Sequence, residues 1–99
     1  MTPEQRPLRM THLWRRRNDH VVLFSDATFN VRRFDLNVVG SFVWELSDGN
    51  RTAAEIVERV SAAYPDEPKT SVETSVLAFL AELEREWLVR PAEAVTPDA

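Results

Sequence analysis

The hydrophobic pattern of this chain changes period at Asn37. Up to Leu36 the apolar residues come in short β-branched and aromatic stretches. From Val38 onward they recur at helical spacing. Two local runs, THLWRRR and HVVLF, are separated by Asn18-Asp19 and read as a hairpin. Ser25-Asp26-Ala27 reads as the next turn, and Thr28–Leu36 (TFNVRRFDL) as a third strand. Phe29 and Val31 point one way along that strand, and Phe34 and Leu36 the other. A bulge near Arg32-Arg33, or two partly apolar faces, accommodates both.

Three helices follow. Asn37 is placed to cap the first, whose stripe is Val38, Val39, Phe42, Val43 and Leu46, with Asp48-Gly49 closing it. Thr52 and Glu55 form a capping box for the second, with Ile56, Val57, Val60 and Tyr64 as its stripe. Thr70 and Glu73 are expected to form a second capping box. They open a third helix with the stripe Val76, Phe79, Leu80, Leu83 and Trp87. Trp44 and Trp87 are expected in the core, whereas Trp14 reads equally well as a partner anchor or a cross-strand packing residue. The pattern predicts an α+β fold, three strands followed by three helices. Residues 1–10 and 91–99 are expected as flexible tails around a single domain over 11–90.

A chain of 99 residues supports one modest core. It has no cysteine, so disulfides, thiolate metal sites and cysteine nucleophiles do not arise. No apolar run is long enough to span a bilayer, and the N-terminus lacks the apolar centre of a signal peptide. A cytoplasmic location is the expectation. Charge is unevenly distributed. Residues 1–35 hold seven arginines against four acids, and residues 36–99 hold five basic residues against twelve acids.

No constellation for catalysis emerges. His12 and His20 both fall in the hairpin and could face each other, but no acid completes a ligand set at recognisable spacing. With two glycines in the chain there is no phosphate-binding loop. Glu82, Glu84 and Glu86 alternate around a helix and read as a solvated surface. The chain therefore reads as a binding domain without enzymatic activity, cofactor or metal.

The segment LNVVGSFVWELSDGNRTAAEIV, through Leu36, Asn37, Gly40, Trp44, Asp48, Gly49, Thr52, Glu55 and Ile56, resembles the PqqD family. The stretch VLAFLAELEREWLV is similar to that family's closing helix and its Leu-Val end. The resemblance covers residues 12–90, with one departure at Trp87, where the family often has Gly. It implies a precursor-peptide recognition element with a winged helix-turn-helix-like fold, a three-stranded antiparallel sheet followed by three helices. Such a domain binds the leader segment of a ribosomally made peptide and presents it to a modifying enzyme, often a radical S-adenosylmethionine enzyme, or to a cyclase or leader peptidase. It also implies strand addition along the third strand, in a groove against the third helix. The corresponding residues would be Phe29, Val31, Arg32, Arg33 and Phe34 on the strand. On the helix, Leu77, Leu80 and Ala81 would form the wall, with Glu84 at its rim. Arg32 and Arg33 could instead be a solvated strand surface.

Two rival classes remain at this stage. A winged-helix DNA-binding protein would read DNA with its third helix, but that helix carries Glu73, Glu82, Glu84 and Glu86. Neither nucleic acid nor membrane is an expected partner. A dimerisation domain would use the same free strand edge, and a monomer or weak dimer is expected.

Overall fold

The computed structural model describes residues 1–25 and 31–95. In chain order these form β1 (Pro7–Arg9), β2 (Trp14–Arg17), β3 (His20–Phe24), β4 (Arg33–Asp35), α1 (Val38–Leu46), α2 (Ala53–Ala63), α3 (Lys69–Arg85) and β5 (Val89–Pro91), followed by a 3-10 turn at Ala92–Ala94. β2, β3 and β4 form an antiparallel sheet in that order, as the period change at Asn37 predicts. Arg17 pairs with His20 across the two-residue turn, and Asn18 takes a left-handed φ of 58° there.

The pleat sorts the side chains. Val21 and Leu23 point into the core with Leu36, and Trp14 and Phe34 pack at its margin. The helices cover this face through Val43, Trp44, Ile56, Val60, Val76 and Leu80, each at most 2% exposed. Trp14, undecided from sequence, is a packing residue. Its ring meets Trp44 edge-on at 6.1 Å, and the Arg9 guanidinium lies 5.1 Å from its centroid.

Caps set the first two helices. The Asn37 side chain accepts the Gly40 N–H at 2.7 Å. Ser41, buried in α1, replaces the last rung between β3 and β4. Its hydroxyl accepts the Val21 N–H at 2.7 Å and reaches the Leu36 carbonyl at 3.4 Å. The capping box of α2 forms as predicted. Thr52 Oγ1 accepts the Glu55 N–H at 3.1 Å, and Glu55 accepts the Thr52 N–H at 3.0 Å. The backbone and hydroxyl hydrogen bonds from Thr52 hold the Glu55 carboxyl below its ordinary range. The capping box expected at Thr70 and Glu73 does not form. α3 starts two residues earlier, after Pro68, and Thr70 lies inside it. Pro68 stands at the N-cap position, and no side-chain hydrogen bond caps this start.

Where flexible tails were expected, the described residues 7–9 and 91–94 form regular structure, and residues 96–99 lie outside the described residues. β1 pairs with β5 in an antiparallel ribbon, Pro7 opposite Pro91 and Arg9 opposite Val89. Pro7 is fully buried. Arg9 reaches the end of α1, where its guanidinium donates to the Trp44 and Glu45 carbonyls at 3.0 and 2.8 Å. The Gly49 N–H donates to the Pro7 carbonyl at 2.8 Å, with Gly49 in the left-handed region at φ 82°. The ribbon thus ties the N-terminus, the α1–α2 turn and the end of α3 together.

Trp87 overturns the expectation that it extends the α3 stripe into the core. α3 ends at Arg85 in a Schellman arrangement. The Leu88 N–H donates to the Leu83 carbonyl at 2.9 Å, and the Trp87 N–H to the Glu84 carbonyl at 3.1 Å. That turn requires a left-handed residue, and Trp87 supplies it at φ 60° with its side chain 70% exposed. Arg90 lies over the ring at 4.4 Å. Trp87→Gly relieves about 1–2 kcal/mol of backbone strain and forfeits a cation–π contact of about 0.5–1 kcal/mol. The expected net gain in unfolding free energy is about 0.5 kcal/mol by urea titration. A loss exceeding about 1 kcal/mol would show that the indole holds the turn.

Candidate functional site: an open strand edge beside a groove

β4 is an edge strand, and its hydrogen-bonding phase is fixed by its neighbours. The Leu36 N–H donates to the Val21 carbonyl, and the Ser25 N–H to the Arg32 carbonyl, both at 2.9 Å. Antiparallel alternation therefore turns the backbone groups of Arg32, Phe34 and Leu36 toward β3. The N–H and C=O groups of Arg33 and Asp35 point outward, away from the sheet. This is an unused ladder of donors and acceptors.

Beside that edge an open groove of ≈ 590 Å³ runs between β4 and α3. Its floor is apolar, made by Phe34, Leu36, Phe79, Leu83 and Leu88. Its rims are charged, with Arg33 and Asp35 on the strand side and Glu82, Arg85 and Glu86 on the helix side. Phe79, Glu82, Leu83 and Glu86 share one flank of α3 because they are spaced i, i+3, i+4, i+7. The helix runs antiparallel to β4. Phe79 approaches Gly40 just beyond Leu36, and a Cβ at Gly40 would stand 3.0 Å from the Phe79 ring. At the other end Arg32 crosses the mouth to Glu86 at 2.6 Å, and its guanidinium lies 4.9 Å from the Phe34 centroid.

The expected site residues divide. Arg32, Arg33 and Phe34 come together at the groove. Val31 precedes β4 and is 65% exposed, and Phe29 lies outside the described residues. The helical half of the expected set does not join them. Leu80 is fully buried in the core. Leu77 lines a separate cleft with Pro3, Ala54 and Val57 on the α2 side of the helix. Ala81 follows one turn later on that flank. Glu84 pairs with the N-terminal amine of Met1 at 3.1 Å. The groove wall is instead built from Phe79, Glu82, Leu83 and Glu86, with Leu36 and Leu88 as floor. Phe79 and Leu83 were legible as apolar positions, but nothing in their spacing marks which flank faces β4.

The two histidines do not face each other, since His20 is opposite Arg17 and His12 precedes the sheet. Among the described residues no group of three or more histidines and acids is arranged to hold a metal. No helix is long and apolar enough to cross a membrane. A second pocket of ≈ 270 Å³, lined by Val39, Val60, Tyr64 and Val72, has no strand edge beside it.

None of the curated proteins compared matches this chain. Among solved structures, the fold is similar to one described as TbiB1 in complex with the TbiA(beta) leader peptide. The TM-score is 0.71 and the identity 26%, over 91% of this chain and 100% of that one. The family model for coenzyme PQQ synthesis protein D (PqqD) matches residues 20–89, which include the sheet from β3 onward, all three helices and both walls of the groove. The chain belongs to the PqqD family.

Proposed function

We propose that this protein is a stand-alone leader-peptide-binding adaptor. It captures a ribosomally made precursor peptide by strand addition along β4 and presents it to a modifying enzyme: a radical S-adenosylmethionine enzyme, a cyclase or a leader peptidase. The protein has no catalytic role of its own in this reading. The observation that carries it is the outward ladder of Arg33 and Asp35 directly beside the apolar groove under Phe34, in a family member similar to a leader-bound protein. Backbone pairing would set the direction and register of the leader, and side chains facing α3 would set its identity. Burial of two or three apolar leader residues contributes about 1.5–3 kcal/mol each before ordering costs, consistent with a Kd near micromolar. Arg32 and Arg33 opposite Glu82 and Glu86 favour a leader with acidic residues along the strand side and a basic residue on the helix side.

Backbone pairing can be tested apart from side-chain contact. The Arg33 N–H points out of the sheet and makes no bond within it, so Arg33→Pro removes a ladder donor while leaving the β3–β4 rungs intact. Arg33→Ala removes the same side chain and keeps the donor. With a synthetic leader from a precursor encoded beside this gene, calorimetry should give Arg33→Pro about fivefold to tenfold weaker binding than Arg33→Ala. Equal affinities would rule out strand addition at this edge.

A further inference from the structure

An adaptor that holds a leader in the β4–α3 groove needs a second surface if it is to bring that leader to another protein. The sheet has such a surface. Its inner face is covered by all three helices. Its outer face, by the same pleat, presents Leu13, Arg15 and Arg17 from the first strand, Val22 and Phe24 from the middle, and Arg33 from the edge. The Phe24 N–H bonds the Leu13 carbonyl at 2.8 Å, which fixes Leu13 opposite Phe24. Leu13 is 51% exposed and Phe24 opposite it is half-buried, whereas Val22, flanked by Arg15 and Asp35, is buried, so the open apolar surface of this face is its Leu13–Phe24 end. Among the described residues no ion pair engages Arg15 or Arg17, whereas Arg16, on the inner side, is paired with Glu45 and Arg33 is shared with Asp35 at 3.1 Å. Asp19 at the hairpin turn lies 3.4 Å from the His20 ring. A chain of net charge −4 therefore keeps Arg15 and Arg17 unneutralised beside an apolar patch, on the side remote from the helices.

We infer that this outer sheet face docks a protein surface that carries acidic residues beside an apolar patch, and that it does so while the leader occupies the groove. The occupant follows from charge and shape. Paired guanidiniums beside apolar side chains suit carboxylates flanking a leucine or phenylalanine. A nucleic acid would use the arginines but leave Leu13 and Phe24 unpaired. It would also approach a chain whose α3 carries Glu73, Glu82 and Glu86. In the adaptor reading the leader takes the β4 edge, and Leu13, Arg15 and Arg17 lie at the opposite side of the sheet, clear of it. The inference rests on the adaptor reading only for the partner's role, not for the existence of the surface.

The test uses a synthetic stapled helix whose leucine stripe is bordered by glutamates, and the same helix with lysines in their place. Amide-shift mapping on the full chain should place the acidic helix on Leu13, Arg15, Arg17, Val22 and Phe24, leaving Phe79–Glu86 unmoved. Arg15→Glu with Arg17→Glu should weaken it by about tenfold, which is about 1.4 kcal/mol, and raised salt should weaken it in the wild type. Leu13→Ser should weaken it without altering salt dependence. Leader binding should be unchanged in all three substitutions, so loss of the leader site and loss of this face are told apart. Equal binding of acidic and basic helices, or shifts confined to other surfaces, would overturn the inference. So would tighter binding of a DNA duplex at the same residues, or a dimer in sedimentation that Arg15→Glu with Arg17→Glu abolishes.

Discussion

Trp44→Ala is expected to lower the unfolding free energy by about 4 kcal/mol, close to the whole stability of a marginal domain. Trp44 is completely buried where α1 crosses the sheet, and it carries the edge-on contact with Trp14. Its removal leaves a cavity in the core it shares with Val21 and Leu23 of β3 and Ile56 of α2, residues fixed by their own elements and unable to close over it. The site is not optimal for indole, however. The Trp44 Nε1–H is buried without a hydrogen-bond partner among the described residues. A buried unsatisfied donor costs about 1–3 kcal/mol. Trp44→Phe removes that donor along with part of the ring, so it should cost only about 1 kcal/mol. Urea titration of the three proteins gives the ratio. A Trp44→Phe loss as large as that of Trp44→Ala would mean that the indole N–H is satisfied in solution, by water.

The parts of the fold that were legible in the sequence are those fixed by local chemistry. Asn37 and Thr52 with Glu55 mark two helix starts because capping needs only the residues within one turn. Asn18-Asp19 marks the hairpin because a two-residue turn constrains its own φ values. What was missed is non-local. β1 and β5 are three residues each, carry a proline at one end and show no alternation, and they pair with partners about eighty positions away. Their strand character exists only in the pairing. Trp87 misled for a related reason. Its spacing continues the apolar stripe of α3, but Leu88 and Val89 are both buried, and the chain must reverse before them. The left-handed turn falls on residue 87 whatever occupies it. The family resemblance, with Gly there, carried the relevant signal.

The groove shows how far periodicity reaches. The core line of α3 through Val72, Val76, Leu80 and Leu83 follows directly from the pattern. It leaves two flanks, one through Phe79, Glu82 and Glu86 and one through Leu77, Ala81 and Glu84, that look alike in sequence. Only the placement of α2 and the N-terminus decides between them. Leu77 packs toward Pro3 and Val57, and Glu84 toward Met1, so the first flank is left facing β4.

That assignment makes the last prediction a choice between flanks. Phe34 is the central apolar side chain of β4 and forms groove floor from the strand side. In Phe34→Ser, a leader side chain seated between β4 and α3 loses the ring it packs on. The Arg32 guanidinium loses the same support at the groove mouth. A contact of about 2 kcal/mol is at stake, so leader affinity should fall about thirtyfold. Phe34 sits on an edge strand and is only partly buried, so the domain should remain folded, with unchanged far-UV circular dichroism. Phe34→Leu keeps an apolar side chain and should recover most of the affinity. Leu77→Ser, on the opposite flank, removes similar apolar surface and should leave leader affinity within about twofold of wild type. If Leu77→Ser weakens the leader and Phe34→Ser does not, the peptide lies against the α2 side of the helix. The edge of β4 would then be free for another partner.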